Sequence, residues 1–216
     1  NSGQEIRRSS GELTRNYIQG IPGKDINWDQ LKGRDIDPNR EVIVAVIDSG
    51  LDIDHPELDG RVWENPVCKT MSEEEKAVFP CHGMNFLAKN DIQKYDLKDT
   101  TGHGTHVAGI IAANLNSEGI VGVAVKNIKI MPVKVLSRET TSFVYDKKLI
   151  TDIIADGIGY AVQNKADVIN LSLGWPKVIE TPRMRSALKL AEKAGVVIIA
   201  AAGNNNKNIP TYPCTN

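Results

Sequence analysis

Gly102-His103-Gly104-Thr105-His106-Val107-Ala108-Gly109 puts an imidazole at the start of a segment whose small residues predict a helix. The flanking glycines carry no side-chain bulk, so other chain segments can approach the ring closely. Upstream, Val44-Ala45-Val46-Ile47-Asp48-Ser49-Gly50 ends an apolar strand in a carboxylate. Working outward, residues 41–47 form a nearly continuous β-branched run, the pattern of a strand buried on both faces. Residues 105–115 predict a helix, 128–135 a strand, 149–163 an amphipathic helix and 167–172 another strand. Residues 182–194 predict a helix bounded by Pro182 and Gly195, and 196–201 a last strand. Strands alternating with helices imply an α/β fold: a parallel β-sheet flanked by helices, with right-handed crossovers.

Such sheets place ligands outside the carboxyl ends of their strands. Asp48, Ser172-Leu173-Gly174 and Ala202-Gly203-Asn204 each follow a predicted strand directly, so all three converge on one sheet edge. Residues 1–40 are polar and turn-rich: 1–10 read as a mobile arm, Ile21-Pro22-Gly23 as a turn, and 26–31 as a short helix. The expected division is therefore an arm and lead-in over 1–40 and one domain over 41–216.

Composition narrows the function. With 26 Lys+Arg against 27 Asp+Glu, the net charge is −1, so no basic surplus points to nucleic acid or an anionic membrane. No apolar run approaches the length of a membrane span. Of three cysteines, Cys68 and Cys81 share one excursion between Trp63 and Asn90, where they either close a disulfide or remain thiols according to compartment. Cys214 has no obvious partner. In the same excursion, Ser72 with Glu75 fits a capping box and predicts a short surface helix.

A carboxylate at the end of a Val/Ile/Ala strand is costly unless it is hydrogen-bonded or paired. Taken alone, Asp48 before Ser-Gly also suits a helix cap or turn. A histidine framed by glycines supplies the partner that favours the catalytic reading: imidazole titrates near neutrality and serves as a general base. His103 and His106 are three apart, but the metalloprotease pattern wants i and i+4 with an intervening Glu, which this segment lacks. His106 reads instead as a buried structural histidine. A nucleotide-binding reading fails for want of a Gly-rich phosphate loop after the first strand. Ala200-Ala201-Ala202-Gly203 leaves room for a substrate side chain, and Asn204 suits either an amide donor or a turn.

Ile47-Asp48-Ser49-Gly50, His103-Gly104-Thr105-His106-Val107-Ala108-Gly109, Asn170-Leu171-Ser172-Leu173-Gly174 and Ala202-Gly203-Asn204 occur in the order of the subtilisin-like serine proteases, which the chain resembles from Glu41 onward. The resemblance implies a subtilisin-like fold, incomplete at the C-terminus, and an endopeptidase acting on polypeptides through an acyl-enzyme. It makes Asp48 the triad acid, His103 the general base and Asn204 the oxyanion donor. Ser172, Leu173, Gly174, Ala202 and Gly203 would line the primary specificity pocket. It also implies structural calcium held by Glu57 and by Asn114, Asn116, Glu118 and Ile120, and a secreted or periplasmic enzyme made as a zymogen. Residues 136–143 lack the glycines with which relatives build the other substrate-pairing strand.

The family order is Asp, His, then Ser. No serine in the chain precedes a helix in the required context. The expectation is that the nucleophile comes from a downstream segment or a separate chain, and that this chain alone is inactive. A catalytically silent, peptide-binding subtilase fold is the alternative.

Overall fold

Seven consecutive residues, Val42–Asp48, form β3, the middle strand of a five-stranded sheet. The computed structural model describes residues 39–216 except 77–78, 117–118, 125, 139, 141–146, 205–210 and 216, together with the antiparallel pair β1 (Ile6–Arg7) and β2 (Leu13–Thr14). The pairing of β1 with β2 brings backbone order into part of the expected arm. The predicted turn at 21–23 and helix at 26–31 lie outside the described residues.

The remaining strands are β4 (Met84–Asn85), β5 (Ile128–Lys134), β6 (Val168–Leu171) and β7 (Val197–Ala200). They lie in the order β4-β5-β3-β6-β7, and every pairing is parallel. The helices are α1 (Glu73–Lys76), α2 (His103–Ala112), α3 (Lys147–Gln163) and α4 (Pro182–Lys193). Winding runs from β3 to β5 on one side and then to β6 and β7 on the other. The direction therefore reverses around β3, the position at which open α/β sheets build their sites.

Alternation along β3 explains its unbroken apolar run. Ala45 and Ile47 pack with Met131, Val133, Ile154 and Ile158 on the face covered by α3 and α4. Val44 and Val46 pack with Ile128, Ile130, Ala108 and Ala112 on the face covered by α2. Each fully buried aliphatic side chain contributes about 1.5–3 kcal/mol. Helix α2 offers Gly104, Ala108 and Ala112 as its buried residues, a stripe at four-residue spacing that lets it lie close to the sheet. His106 falls off that stripe and is exposed, which corrects its reading as a buried histidine.

Cys68 and Cys81 are joined by a disulfide, and Asn65 N donates to Cys81 O at 2.7 Å across the same loop. The capping box forms as expected. Ser72 N donates to Glu75 Oε2 at 2.8 Å, and Glu75 N donates to Ser72 Oγ at 3.3 Å. Cys214 is an exposed free thiol.

Candidate active site

Strand parity aims the carboxylate. Residues 44 and 46 face α2, so Asp48, two further on, faces it too, at the carboxyl end of β3. Its side chain is wholly buried. Asp48 Oδ1 accepts from Ser49 N at 2.7 Å. His103 Nδ1 lies 2.8 Å from Oδ1 and 3.0 Å from Oδ2, while the His103 side chain stays 54% exposed. An ionised carboxylate only accepts, so Nδ1 carries the proton and Nε2 is left as an acceptor. A buried anion is thus matched by two donors, and the imidazole is fixed in one tautomer.

Two glycines make that approach possible. A Cβ on Gly104 would meet Gly50 O at 2.2 Å and the Asp48 Cβ at 3.3 Å. Gly50 has φ +111°, and a Cβ there would meet Leu97 O at 2.3 Å. The close approach read into Gly104 is present. Gly102, the N-cap of α2, instead adopts a left-handed conformation with φ +83° and open space around it.

A second carboxylate, missed in the sequence, lies behind this pair. Asp99 Oδ1 accepts from Ser49 Oγ (2.9 Å), Thr101 N (3.0 Å) and Gly102 N (2.9 Å), and Oδ2 accepts from the Thr105 N and Oγ1, each at 2.9 Å. Burial raises the Asp99 pKa, but the backbone hydrogen bonds from Thr105 and Thr101 and the hydroxyls of Ser49 and Thr105 outweigh it, leaving the carboxyl at about 2. The only sequence signal was an Asp three residues before a helix-starting glycine, which suits a cap. A carboxylate with a depressed folded pKa contributes stability above its unfolded value, near 3.8, and loses it as pH falls toward about 2. Acid unfolding of Asp99→Asn followed by circular dichroism is therefore expected to lose the part of the stability drop that the wild type shows between roughly pH 4 and pH 2. Parallel curves would remove Asp99 from that role.

The other predicted segments meet farther along the same edge. Residues 172–174 leave β6, and Asn170 Nδ2 donates to Ser172 Oγ at 2.9 Å. Ala202, Gly203 and Asn204 leave β7 and are exposed. Both segments converge on Thr211: a Cβ on Gly174 would lie 2.6 Å from its Cγ2, and one on Gly203 would lie 3.3 Å from its Oγ1. Trp175 forms an antiparallel bridge with Tyr212. Of residues 136–143, Glu139 and residues 141–143 lie outside the described residues.

A Subtilase family model matches residues 39–215. The chain belongs to the subtilase family. This subtilase is 37% identical over 188 residues to the major intracellular serine protease of Bacillus subtilis (strain 168), covering 87% of this chain and 46% of the relative. It is 34% identical over 177 residues to the intracellular serine protease of Paenibacillus polymyxa, covering 82% and 44%. Among solved structures it is similar to fervidolysin from Fervidobacterium pennivorans, a keratinolytic enzyme related to subtilisin. That likeness has a TM-score of 0.60 and 30% identity, covering 82% of this chain and 23% of fervidolysin. The subtilase chain spans less than half the length of the curated relatives it matches.

The loop expected to hold calcium surrounds Glu57. Asn116 Nδ2 donates to Glu57 Oε1 at 3.2 Å, Asn114 N donates to Glu57 O at 2.9 Å, and a Cβ on Gly119 would come within 2.9 Å of the carboxylate. Glu57 Oε2 is buried with no hydrogen-bond partner among the described residues, the kind of oxygen a cation would satisfy. Asn114 Oδ1 accepts from Arg61 Nε at 2.7 Å and Asn114 O accepts from Asn116 N at 3.1 Å, so each Asn114 oxygen keeps one lone pair for an ion. Glu118 lies outside the described residues. The oxygen set suits a hard cation.

Proposed function

We propose that this subtilase domain supplies the acid and base of a serine endopeptidase that cleaves polypeptides through an acyl-enzyme. The observation that carries the reading is the buried Asp48 carboxylate 2.8 Å from His103 Nδ1. In this scheme His103 Nε2 takes the proton of the serine hydroxyl as its oxygen attacks the scissile carbonyl, and later returns it to the leaving amine. Asp48 holds the ring and stabilises the imidazolium. Asn204 donates to the developing oxyanion, Ser172, Leu173 and Gly174 pair with the substrate backbone by strand addition, and Ala202 and Gly203 complete the specificity pocket.

The serine comes from a downstream segment or a separate chain. In support, β7 is an edge strand with Val197 and Ile199 each 53% exposed, and it borders a cavity of about 680 Å³ lined in part by Leu188, Ile198 and Pro213. The test is a fluorophosphonate probe on the protein assembled with its downstream region, read by mass spectrometry. Labelling of a serine in that region, abolished by His103→Ala, is the expected result. No labelling in a preparation shown to contain the region favours a catalytically silent, peptide-binding protein.

Calcium is proposed as a structural ion at Glu57, Asn114, Asn116, Glu118 and Ile120. It would tie the loop after α2 to the segment after β3. Saturation at about 100 times Kd adds roughly 2.7 kcal/mol. Thermal unfolding is expected to shift upward with calcium and return with chelator. An unmoved midpoint counts against the ion. Secretion or a periplasmic location is proposed on the Cys68–Cys81 disulfide. Made as a zymogen, such an enzyme would be restrained until export.

A further inference from the structure

We infer that Asp99 is the positioning residue of the acid–base pair: through Ser49, Thr101 and Thr105 it sets where His103 stands against Asp48. The inference rests on the catalytic reading of that pair and extends it to a residue whose carboxylate bonds to Ser49, Thr101, Gly102 and Thr105 rather than to the ring.

The argument begins with an unsolved problem at the start of α2. The first turn of a helix leaves N–H groups without partners, and an N-cap side chain ordinarily serves one of them. Here the N-cap is Gly102, which has no side chain to give. Three other residues take over. His103 N donates to Thr101 Oγ1 (3.1 Å), Gly104 N donates to Ser49 Oγ (3.0 Å) and Thr105 N donates to Asp99 Oδ2 (2.9 Å). The two accepting hydroxyls are themselves anchored. Ser49 Oγ donates to Asp99 Oδ1, and Thr101 Oγ1 lies 2.7 Å from Ser49 Oγ and 3.1 Å from Asp99 Oδ1. Every donor chain from the first turn therefore ends on one carboxylate.

Those chains join the two halves of the pair. Ser49 directly follows Asp48, and Thr101 and Gly102 directly precede His103. Asp99 thus ties the backbone that carries the acid to the backbone that carries the base. Thr105 Oγ1 adds a further tie, accepting from Asp52 N at 3.0 Å while donating to Asp99 Oδ2.

The carboxylate is itself held from several sides. Leu97 O accepts from Leu51 N at 2.8 Å, Lys98 O from the buried Lys134 Nζ at 2.6 Å, and Thr100 O from Arg138 Nε at 3.0 Å. Consecutive residues on both sides of Asp99 are pinned by the β3 loop, by β5 and by the segment after β5. A hub fixed this way transmits position, because displacement of any one tie moves the first turn of α2 and with it the imidazole.

A misplacement on the order of 1 Å costs about 100-fold in rate. In the assembled protease, Asp99→Asn is expected to lower kcat by roughly 10- to 100-fold with KM within about twofold, since both Asp99 oxygens are engaged by Ser49, Thr101, Gly102 and Thr105. An amide cannot accept on both sides, so one group of donors faces an NH2. The second readout needs no peptidase activity: the low-field proton resonance of His103 Nδ1–H in this chain, expected to move upfield or broaden in Asp99→Asn. Ser49→Ala and Thr101→Val each cut one link and are expected to move it in the same direction by less. They also keep the test open if Asp99→Asn does not fold. An unmoved resonance in every variant that folds overturns the inference and leaves Asp99 a purely structural residue. A moved resonance in a protein that cleaves no peptide sustains the positioning role and rejects only the peptidase reading.

Discussion

His103→Ala in the assembled protease is expected to lower kcat by about 10⁴- to 10⁶-fold, the magnitude that loss of the triad histidine has in subtilisin. Removing the ring removes the proposed acceptor of the serine proton, and among the described residues it leaves Ser49 N as the donor to the buried Asp48 carboxylate. Asp48→Asn is the finer test. It keeps shape and burial but presents an amide to Nδ1, which favours the opposite tautomer and puts the proton on Nε2, where the serine's proton must go. A loss of about 10⁴-fold in kcat is expected, measured with the amount of folded enzyme fixed by active-site titration. A loss under tenfold for either variant would remove the pair from the chemistry.

Gly50→Ala is expected to carry the largest cost to stability. Two independent penalties act at that position. The backbone sits at φ +111°, where an L side chain is strained by about 1–3 kcal/mol. The added methyl would also stand 2.3 Å from Leu97 O, so the segment leading to Asp99 must shift, at roughly another 1–3 kcal/mol. Chemical denaturation should show a loss of about 2–6 kcal/mol. Gly60→Ala is the control: it has φ +67° but nothing within 4 Å of the added carbon, so only the conformational penalty applies. Equal losses in the two variants would mean that the close approach to Leu97 contributes nothing.

Most of the sheet was legible because β3 and β5, buried on both faces, read as apolar β-branched runs. Strand β7 reads the same way although Val197 and Ile199 are exposed, whereas the two-residue β4 carries no such run. Predicted and observed strands differ by only one residue at most ends, as in residues 41–47 against Val42–Asp48. The order of the motifs also places Asp48, residues 172–174 and 202–204 on one edge of the sheet. His106 shows the limit of that reading. Its neighbours are small and apolar, but burial on α2 is decided by the spacing of Gly104, Ala108 and Ala112, and His106 lies between those positions. The start of α2 was set two residues late, since glycine at its N-cap gives no capping signal and the real caps come from Ser49, Thr101 and Asp99. Asp99 itself was illegible as a hub, because its importance depends on Ser49 arriving from fifty positions away. The Cys68–Cys81 pairing was left open by spacing and is settled by the fold of the loop between Trp63 and Gly83.

The acid, the base and every tie described around them fall between Asp48 and Arg138, ahead of β6 and β7 in the chain. A ribosome adding about 5–20 residues per second finishes that stretch on the order of 3–12 seconds before it finishes β7. The residues of the proposed proton-transfer pair are therefore all in the nascent chain while the edges proposed to bind peptide are still unmade. Synthesis order alone gives this polypeptide an interval in which its proposed base has been made and the strand ends that would present a substrate to it have not.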